Sequence, residues 1–398
     1  ILADDDRPLT INNLTVNEAS PYAVFTVTGN ANQYVKLALT DSTATSADYG
    51  STLQYFDGIT WQNYTAGTFV KIPNGGTTLQ VRTTIVNDTV SDNGETFTLT
   101  ATNTGTTSAT GTATIKDDST GTIFDNTGAG ITPASANVVN PTTSTLADDD
   151  RSLSVNSITV NEGSPYATFT VTGNVDQYVK LALSDGTATS ADYGSTLQYF
   201  DGITWQNYTA GTFVKIPNGG TTLQVRTTIV NDTVSDNNET FTLIATNTGT
   251  TSATGTATIK DDGTGTIFDY ASNSTATPSV QPNASTLNDD RPISVNDITV
   301  NEGSPYAVFT ITGNAGQYVT LTIADGTAKV ATATPATNGT EDYGPVYEYY
   351  NGSSWVSFSS GATLQIPSGG NTVLVRTTIV NDTNYEMTET FTLSATNT

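Results

Sequence analysis

The chain contains neither cysteine nor histidine. These absences exclude disulfides, thiolate metal sites and thiol nucleophiles, and they remove the side chain that most often serves as a general base. Positive charge is scarce as well, since 13 lysines and arginines stand against 38 aspartates and glutamates, for a formal charge of -25. Nucleic acid and anionic membrane surfaces would repel such a chain, so cations are the expected partners. No apolar run approaches the roughly 20 residues of a membrane helix, so no membrane insertion is expected.

Three tandem copies of one module make up the chain. The first two copies are identical over Ser46–Asn93 and Ser190–Asn237, whereas the third has diverged and is longer between Ala328 and Asp342. We expect this longer stretch, rich in Ala, Thr and Pro, to form a surface loop. The tetrapeptide TVNE marks each copy, at residues 15–18, 159–162 and 299–302.

Apolar and polar residues alternate with a period of two inside each copy. Ala167, Phe169 and Val171 alternate with threonines, and Leu223 and Val225 alternate with polar residues. This period is typical of strands with one buried face, and the Gly, Asn and Asp residues between them are typical of antiparallel turns. No segment has convincing helical periodicity. The sequence therefore predicts an all-β chain of tandem antiparallel β-sandwiches.

Two segments rich in Pro, Asn, Ser and Thr separate the copies and are predicted to be linkers. Thr398 aligns with Thr248, so the third copy has no counterpart of Thr256–Asp262, which closes the second copy. We expect its sandwich to have an open sheet edge, which further residues of the same chain or another chain would complete. The predicted organisation is sandwich 1 over 1–125, a linker over 126–145, sandwich 2 over 146–269, a linker over 270–286, and sandwich 3 over 287–398 with its last strand missing.

Each copy also has an Asp-Gly or Asn-Gly pair between aromatic-rich runs, which predicts a hairpin. The tryptophans of this hairpin could form a platform that stacks on a sugar, or they could pack across the strands. We favour packing, because sugar sites usually need convergent polar groups as well. The pairs are Asp57-Gly58, Asp201-Gly202 and Asn351-Gly352, and the tryptophans are Trp61, Trp205 and Trp355.

Acidic residues of the second copy lie where the predicted strands end. Strand ends meet at the poles of a sandwich, and carboxylates gathered there would repel each other unless a cation joined them. Calcium takes roughly six to eight hard oxygen ligands in flexible geometry, whereas zinc and copper prefer nitrogen or sulfur ligands. The predicted calcium ligands are Glu162, Asp185, Asp232, Asp236, Glu239, Asp261 and Asp262.

The other two copies repeat this set. One position keeps its charge while it changes its identity, since Asp92 and Asp236 become Glu386 in the third copy. Metal ligation permits that exchange more readily than turn geometry does. The predicted ligands are Glu18, Asp41, Asp88, Asp92, Glu95, Asp117 and Asp118 in the first copy, and Glu302, Asp325, Asp382, Glu386 and Glu389 in the third.

A short acidic run followed by arginine precedes each copy. It could supply further ligands, or it could be a solvated linker whose aspartates pair with the arginine, and we favour the linker. The runs are Asp4–Asp6, Asp148–Asp150 and Asp289–Asp290, before Arg7, Arg151 and Arg291.

The copies resemble the Calx-beta module of sodium-calcium exchangers and bacterial surface proteins in five ordered segments, NEGSPYATFTVTG, SDGTATSADYG, IPNGGTTLQVRTTIVNDT, ETFTL and TATIKDDGTGTIF. The resemblance implies a seven-stranded immunoglobulin-like sandwich that binds calcium at one pole through the acidic residues given above. Two departures leave fewer charges than the family has, at Asn231-Asp232 and at Asp261-Asp262-Gly263. With its aromatic hairpin, the chain also resembles repeats of giant adhesins that Gram-negative bacteria secrete through type I systems, which implies a stalk.

The resulting hypothesis is a calcium-binding stalk on the bacterial cell surface, whose partners are calcium ions and neighbouring repeats. One alternative is a filament in which copies of the chain complete each other by strand donation. A second is a carbohydrate-binding module that holds glycans on the aromatic hairpin. Catalysis is not expected, because paired carboxylates in three small modules without an evident cleft do not make a glycosidase.

Overall fold

The computed structural model of the protein describes residues 2–73, 75–131, 146–217, 219–268, 287–332 and 340–397. Every regular element in these ranges is a β-strand, and the strands form three successive pairs of sheets and one small ribbon. This confirms the predicted all-β class. The strands of the first sandwich are β1 (Thr10–Ile11), β2 (Leu14–Asn17), β3 (Tyr22–Thr28), β4 (Tyr34–Asp41), β5 (Gln54–Phe56), β6 (Trp61–Asn63), β7 (Val70–Lys71), β8 (Thr78–Thr84), β9 (Thr96–Asn103), β10 (Ser108–Lys116), β11 (Ile123–Phe124) and β12 (Gly130–Ile131).

The second sandwich repeats this order without a counterpart of the β11–β12 ribbon among its described residues. In the first sandwich, the sheet that contains the aromatic hairpin has the strand order β1-β3-β8-β5-β6, and the facing sheet has the order β2-β10-β9-β4-β7. The corresponding strands of the second sandwich follow the same two orders. The strands of the second sandwich are β13 (Ser154–Val155), β14 (Ile158–Asn161), β15 (Tyr166–Thr172), β16 (Tyr178–Asp185), β17 (Gln198–Phe200), β18 (Trp205–Asn207), β19 (Phe213–Lys215), β20 (Thr222–Thr228), β21 (Glu239–Asn247) and β22 (Ser252–Lys260).

The beginning of the first copy, like that of the second, changes sheets, and this change places acidic residues together. In the first copy, β1 pairs antiparallel with β3 in one sheet, whereas β2 pairs parallel with β10 in the other sheet. Parallel strands end at the same edge, and the register joins Asn17 to Lys116. The residues that follow, Glu18 and Asp117, therefore leave the sheet side by side at one pole.

The core lies between the two sheets of each sandwich and is built from the alternating residues. Ala167, Phe169 and Val171 are fully buried, as the period of two predicts. Tyr193 stacks on Phe241 with 4.0 Å between ring centroids, and Phe169 meets Phe241 edge-on at 5.9 Å. Equivalent ring trios lie in the first and third sandwiches.

The third sandwich is open on one side. Its second sheet has only three strands, and no strand among the described residues fills the place that β22 occupies between β14 and β21. Without that partner, residues 298–301, the counterpart of β14, form no strand, and Val300 is 39% exposed where Val160 is fully buried. The third sandwich therefore has an unpaired sheet edge among the described residues. Its strands are β23 (Ser294–Val295), β24 (Tyr306–Thr312), β25 (Tyr318–Asp325), β26 (Tyr343–Tyr350), β27 (Trp355–Phe358), β28 (Ala362–Gln365), β29 (Thr372–Ile379) and β30 (Phe391–Asn397).

The predicted linkers lie mostly outside the described residues, as does 333–339 of the longer loop in the third copy, so those assignments stay predictions. The first residues of the predicted linker 126–145 depart from the expectation. Gly130 and Ile131 pair with β11, and the carbonyl of Asn126 accepts a 2.9 Å hydrogen bond from Arg82. The chain therefore still packs on the first sandwich up to residue 131.

Candidate metal centre

Four buried carboxylates converge where the first sandwich meets the second. Glu18 follows β2 and Asp117 follows β10, while Asp148 and Asp150 belong to the segment that enters the second sandwich. One oxygen from each lies within 4.8 Å of the others, and each residue is 5% exposed or less. We call this group the inner site of the first junction.

Hydrogen bonds from the backbone hold the incoming segment against this pole. The side chain of Asn17 accepts a 2.8 Å bond from the N–H of Asp148 and donates a 3.3 Å bond to its carbonyl. That carbonyl also accepts a 2.7 Å bond from the N–H of Ser119. Oδ1 of Asp117 accepts a 2.6 Å bond from the N–H of Asp150. These bonds fix the backbone of the incoming segment, and with it Asp148 and Asp150, against the pole of the first sandwich.

These contacts leave one oxygen on every carboxylate of the inner site without a hydrogen-bond partner in the described chain. The oxygens are Glu18 Oε2, Asp117 Oδ2, Asp148 Oδ2 and Asp150 Oδ2. Burial, and then the neighbouring carboxylates, raise the pKa of Glu18 to about 8 and raise the pKa values of the other three. Since bare buried carboxylates are unfavourable, the arrangement suits a bound cation.

The second junction repeats the inner site with one change. Glu162, Asp261 and Asp290 converge within 4.8 Å, and Asn288 takes the place of Asp148. Asp290 donates its N–H to Oδ1 of Asp261 at 2.7 Å, and the amide of Asn288 donates to Asn231 at 2.7 Å. Unpartnered buried oxygens again include one on each of the three carboxylates, together with Oδ1 of Asn288.

A second acidic group, which we call the outer site, lies at the same end of each sandwich. In the first sandwich Asp48, Asp92 and Glu95 converge within 4.8 Å, and they are half-buried. Burial, and then Asp48, raise the pKa of Glu95 to about 7. The equivalent groups are Asp192, Asp236 and Glu239 in the second sandwich and Asp342, Glu386 and Glu389 in the third.

Several predicted ligands lie outside both groups. Asp41, Asp185 and Asp325 accept hydrogen bonds from the hydroxyls of the stacked core tyrosines. The aspartates at 88, 232 and 382 each accept from a backbone N–H two residues on, and their own N–H donates to the glutamate of the inner site or its counterpart, at 18, 162 or 302. Asp118 and Asp262 face away, toward an asparagine amide and a lysine. In the third sandwich, no strand among the described residues brings an aspartate beside Glu302.

Sequence reasoning missed two kinds of residue. Asp48 and its counterparts recur in the DYG segment of every copy, including the third, and that recurrence is the signal that could have found them. For the acidic run before Arg151, the sequence leaves open further ligands or a solvated linker, and the favoured solvated linker is wrong, since Asp148, Asp149 and Asp150 are all at most 3% exposed. The expected arginine pairing does occur, because Arg151 holds Asp149 with bonds of 2.8 and 2.6 Å.

The aromatic hairpin forms as expected in each copy, with its tryptophan on the strand after the turn. In the second sandwich the guanidinium of Arg226 lies between two rings, 3.9 Å from the centroid of Tyr166 and 4.0 Å from that of Trp205. The same three-layer stack occurs at Arg82 and Arg376. One face of each tryptophan is therefore covered by arginine, which favours packing over a sugar platform.

No protein-family model and no curated protein matches the chain. Among solved structures, the calcium binding domain CBD12 of CALX1.1 is 12% identical, with 60% of this chain and 79% of that chain covered and a TM-score of 0.24. Protocadherin Gamma B7 cadherin domains 1–4 are 12% identical over 99% of this chain and 76% of that chain, with a TM-score of 0.31. The D00-D0 domain of Intimin is 12% identical over 64% and 100%, with a TM-score of 0.27. None of these likenesses assigns the chain to a family.

Proposed function

We propose that the chain is a calcium-binding stalk region of a long extracellular adhesin or surface fibre of bacteria. The observation that carries the proposal is the inner site, where buried carboxylate oxygens converge within 4.8 Å and have no hydrogen-bond partner in the described chain. Leaving a charged oxygen buried and unpaired costs on the order of several kcal/mol. A cation at this point removes that cost and ties the ends of β2 and β10 together.

Calcium is the cation that this donor set suits best. The donors are carboxylates, with an amide oxygen at the second junction, and the chain has no histidine or cysteine for a softer metal. Magnesium demands near-octahedral geometry and keeps several waters, whereas calcium accepts irregular cages of carboxylate and carbonyl oxygens. Extracellular calcium modules have dissociation constants of about 10⁻⁴ to 10⁻³ M, so modest sites of this kind suffice there.

A mechanical role fits the tandem arrangement. The described part of the chain contains no helix that could span a membrane, and its acidic groups lie at the poles where successive sandwiches follow one another. A string of such domains separates its two ends by a length that depends on how stiff the junctions are. Calcium at the poles would set that stiffness and would stabilise each sandwich by mass action.

The open edge of the third sandwich supports one rival, a filament completed by strand donation between chains. A groove of about 700 Å³ runs beside this edge, lined by Ile298, Val300 and Phe391 among others. Sedimentation of the 398-residue chain in calcium separates the two hypotheses. Assembly that grows with protein concentration would favour the filament, and a stable monomer would argue against it.

The test of the stalk proposal is calorimetric unfolding of the whole chain in millimolar calcium and again in chelator, with calcium titration calorimetry beside it. We expect calcium to bind and to raise Tm. Glu239→Gln, in the outer site, should lower Tm in calcium and leave it unchanged or slightly higher in chelator, where the glutamine removes a half-buried charge. Asp176→Asn is the matched control, since Asp176 is exposed and pairs only with Lys215 in the described chain. Equal losses for Glu239→Gln in both buffers would contradict the calcium assignment.

A further inference from the structure

The side chains of the acidic run before Arg151 point to two different sides of the segment. Successive residues of an extended segment point to opposite sides. Asp148 and Asp150 therefore face the pole of the first sandwich, where they enter the inner site, and Asp149 faces the other way, toward Arg151.

Asp149 joins the two sandwiches without any ion. Its carboxylate accepts bonds from Arg151 at 2.8 and 2.6 Å, from Ser119 of the first sandwich at 3.0 Å and from Gln177 of the second at 3.3 Å. The positive charge of Arg151 therefore compensates the charge of Asp149. The charges of Asp148 and Asp150 are not compensated in this way, because Arg151 pairs with Asp149, the residue between them.

The side chain of Asp150 is attached to the second sandwich by a hydrogen bond. Its Oδ1 accepts a 3.1 Å bond from Thr251, in the turn between β21 and β22, while its N–H donates to Asp117. Its Oδ2 remains unpartnered and faces the inner site. Any cation held there contacts ligands fixed to both sandwiches.

We propose that one divalent cation at the inner site locks each sandwich to the next, and that the first junction binds its cation more tightly than the second. The proposal rests on calcium binding as the function of the poles. It adds that the junction segment of the following copy completes the site, through Asp148 and Asp150 at the first junction and through Asn288 and Asp290 at the second.

The difference between the junctions follows from charge. Four carboxylates surround the first site and three surround the second, where Asn288 presents a neutral amide oxygen in place of Asp148. The number of charged ligands is one of the features that set the affinity of calcium sites. The two junctions should therefore stiffen in succession as the cation concentration rises.

The first copy contains the same acidic run, and among the described residues no pole of another sandwich packs against it. There Asp5 pairs with Arg7 at 2.8 and 2.6 Å, as Asp149 pairs with Arg151, but Asp4 and Asp6 are exposed. The arginine pair is thus intrinsic to the run. Burial of the flanking aspartates depends on the pole of a preceding sandwich.

The absence of cysteine makes a distance measurement direct, because introduced cysteines take spin labels uniquely. Ile59 and Ile203, at the tips of the first two hairpins, are 85% and 79% exposed, and Ser353 is the exposed counterpart in the third. Pulsed dipolar spectroscopy on the full chain would follow the first junction in Ile59→Cys with Ile203→Cys. The second junction would be followed in Ile203→Cys with Ser353→Cys.

We expect each distance distribution to narrow as calcium is added, at lower calcium for the first junction. Asp148→Asn gives the first site the composition of the second and should raise its midpoint on the order of tenfold, and Asn288→Asp should lower that of the second by a similar factor. Both exchanges copy a residue that the other junction already carries, so folding is retained. Asp176→Asn should move neither midpoint.

Two negative results are distinct. If calcium neither binds by titration calorimetry nor raises Tm, the calcium function itself is wrong. If calcium binds and raises Tm but the distributions keep their width, or if Asp148→Asn leaves the first midpoint unchanged, then calcium acts within the sandwiches and the junction proposal is overturned alone.

Discussion

The N–H of Asp150 donates a 2.6 Å hydrogen bond to Oδ1 of Asp117. Asp117 directly follows β10 of the first sandwich, so this bond holds the segment that enters the second sandwich against the first. Asp290 and Asp261 repeat the bond at 2.7 Å. In both pairs the acceptor keeps its second oxygen, Oδ2, for the acidic site. The same carboxylate thus positions the next domain and also belongs to the candidate metal site.

Glu18→Gln should change stability with opposite sign in calcium and in chelator. The glutamine can still accept the 2.8 Å bond from the N–H of Asp88, but it carries no charge. In calcium we expect a loss of about 1–3 kcal/mol, because a charged ligand is gone. In chelator near pH 9, where Glu18 is ionised, we expect a gain on the order of 1 kcal/mol, since a buried charge is removed. Denaturant unfolding measures both, and a loss of equal size in both buffers would contradict a ligand role.

Stability in chelator should fall as pH rises from about 4.5 to about 8. Burial is the largest cause that raises the pKa of Glu18 to about 8, and of Glu162 and Glu239 to about 7, from an ordinary value of 4.5. A carboxyl with a raised pKa contributes its stability fully below the unfolded pKa and loses it as pH rises through the folded pKa. Calcium favours the ionised form and should flatten or reverse the trend. Tm measured against pH with and without calcium checks this, and identical profiles would contradict it.

Trp205→Ala should destabilise the second sandwich to the same extent with and without calcium. The substitution removes one layer of the stack around Arg226 and the contact of Trp205 with Phe200, whose ring centroid lies 5.7 Å away. We expect a loss of about 1–3 kcal/mol from the lost cation-π and aromatic contacts. Unfolding by denaturant measures the loss. Loss of glycan retention with unchanged stability would instead favour the carbohydrate-binding alternative.

Adding a copy of Gly249–Asp262 after Thr398 should close the third sandwich. In the second sandwich this segment contains β22, whose Ala257 and Ile259 are buried in the core. We expect a gain of at least about 2 kcal/mol from apolar burial, together with slower amide exchange over β30. An appended segment with aspartates at the two positions equivalent to Ala257 and Ile259 is the control. Equal exchange rates in both chains would mean that the groove does not take this strand.

Much of the fold could be predicted because its signals are local. Alternation with a period of two places Phe169 and Val171 on an inner face whatever lies further along the chain, and an Asp-Gly pair between aromatic runs forms a hairpin through its own turn geometry. Internal repetition also predicts an open edge in the third copy, since alignment with the second copy shows no counterpart of Thr256–Asp262.

The acidic residues show where local reasoning stops. The sequence by itself determined that carboxylates crowd the strand ends, because composition and spacing decide charge, and it predicted a hard cation as their partner. Only the tertiary structure decided that Asp118 faces a lysine while Asp117 faces the pole, and that Asp148 and Asp150 are buried beside Glu18. Those outcomes depend on the parallel register of β2 and β10 and on the contact between two domains. Both bring together residues far apart in sequence, and no local pattern encodes them.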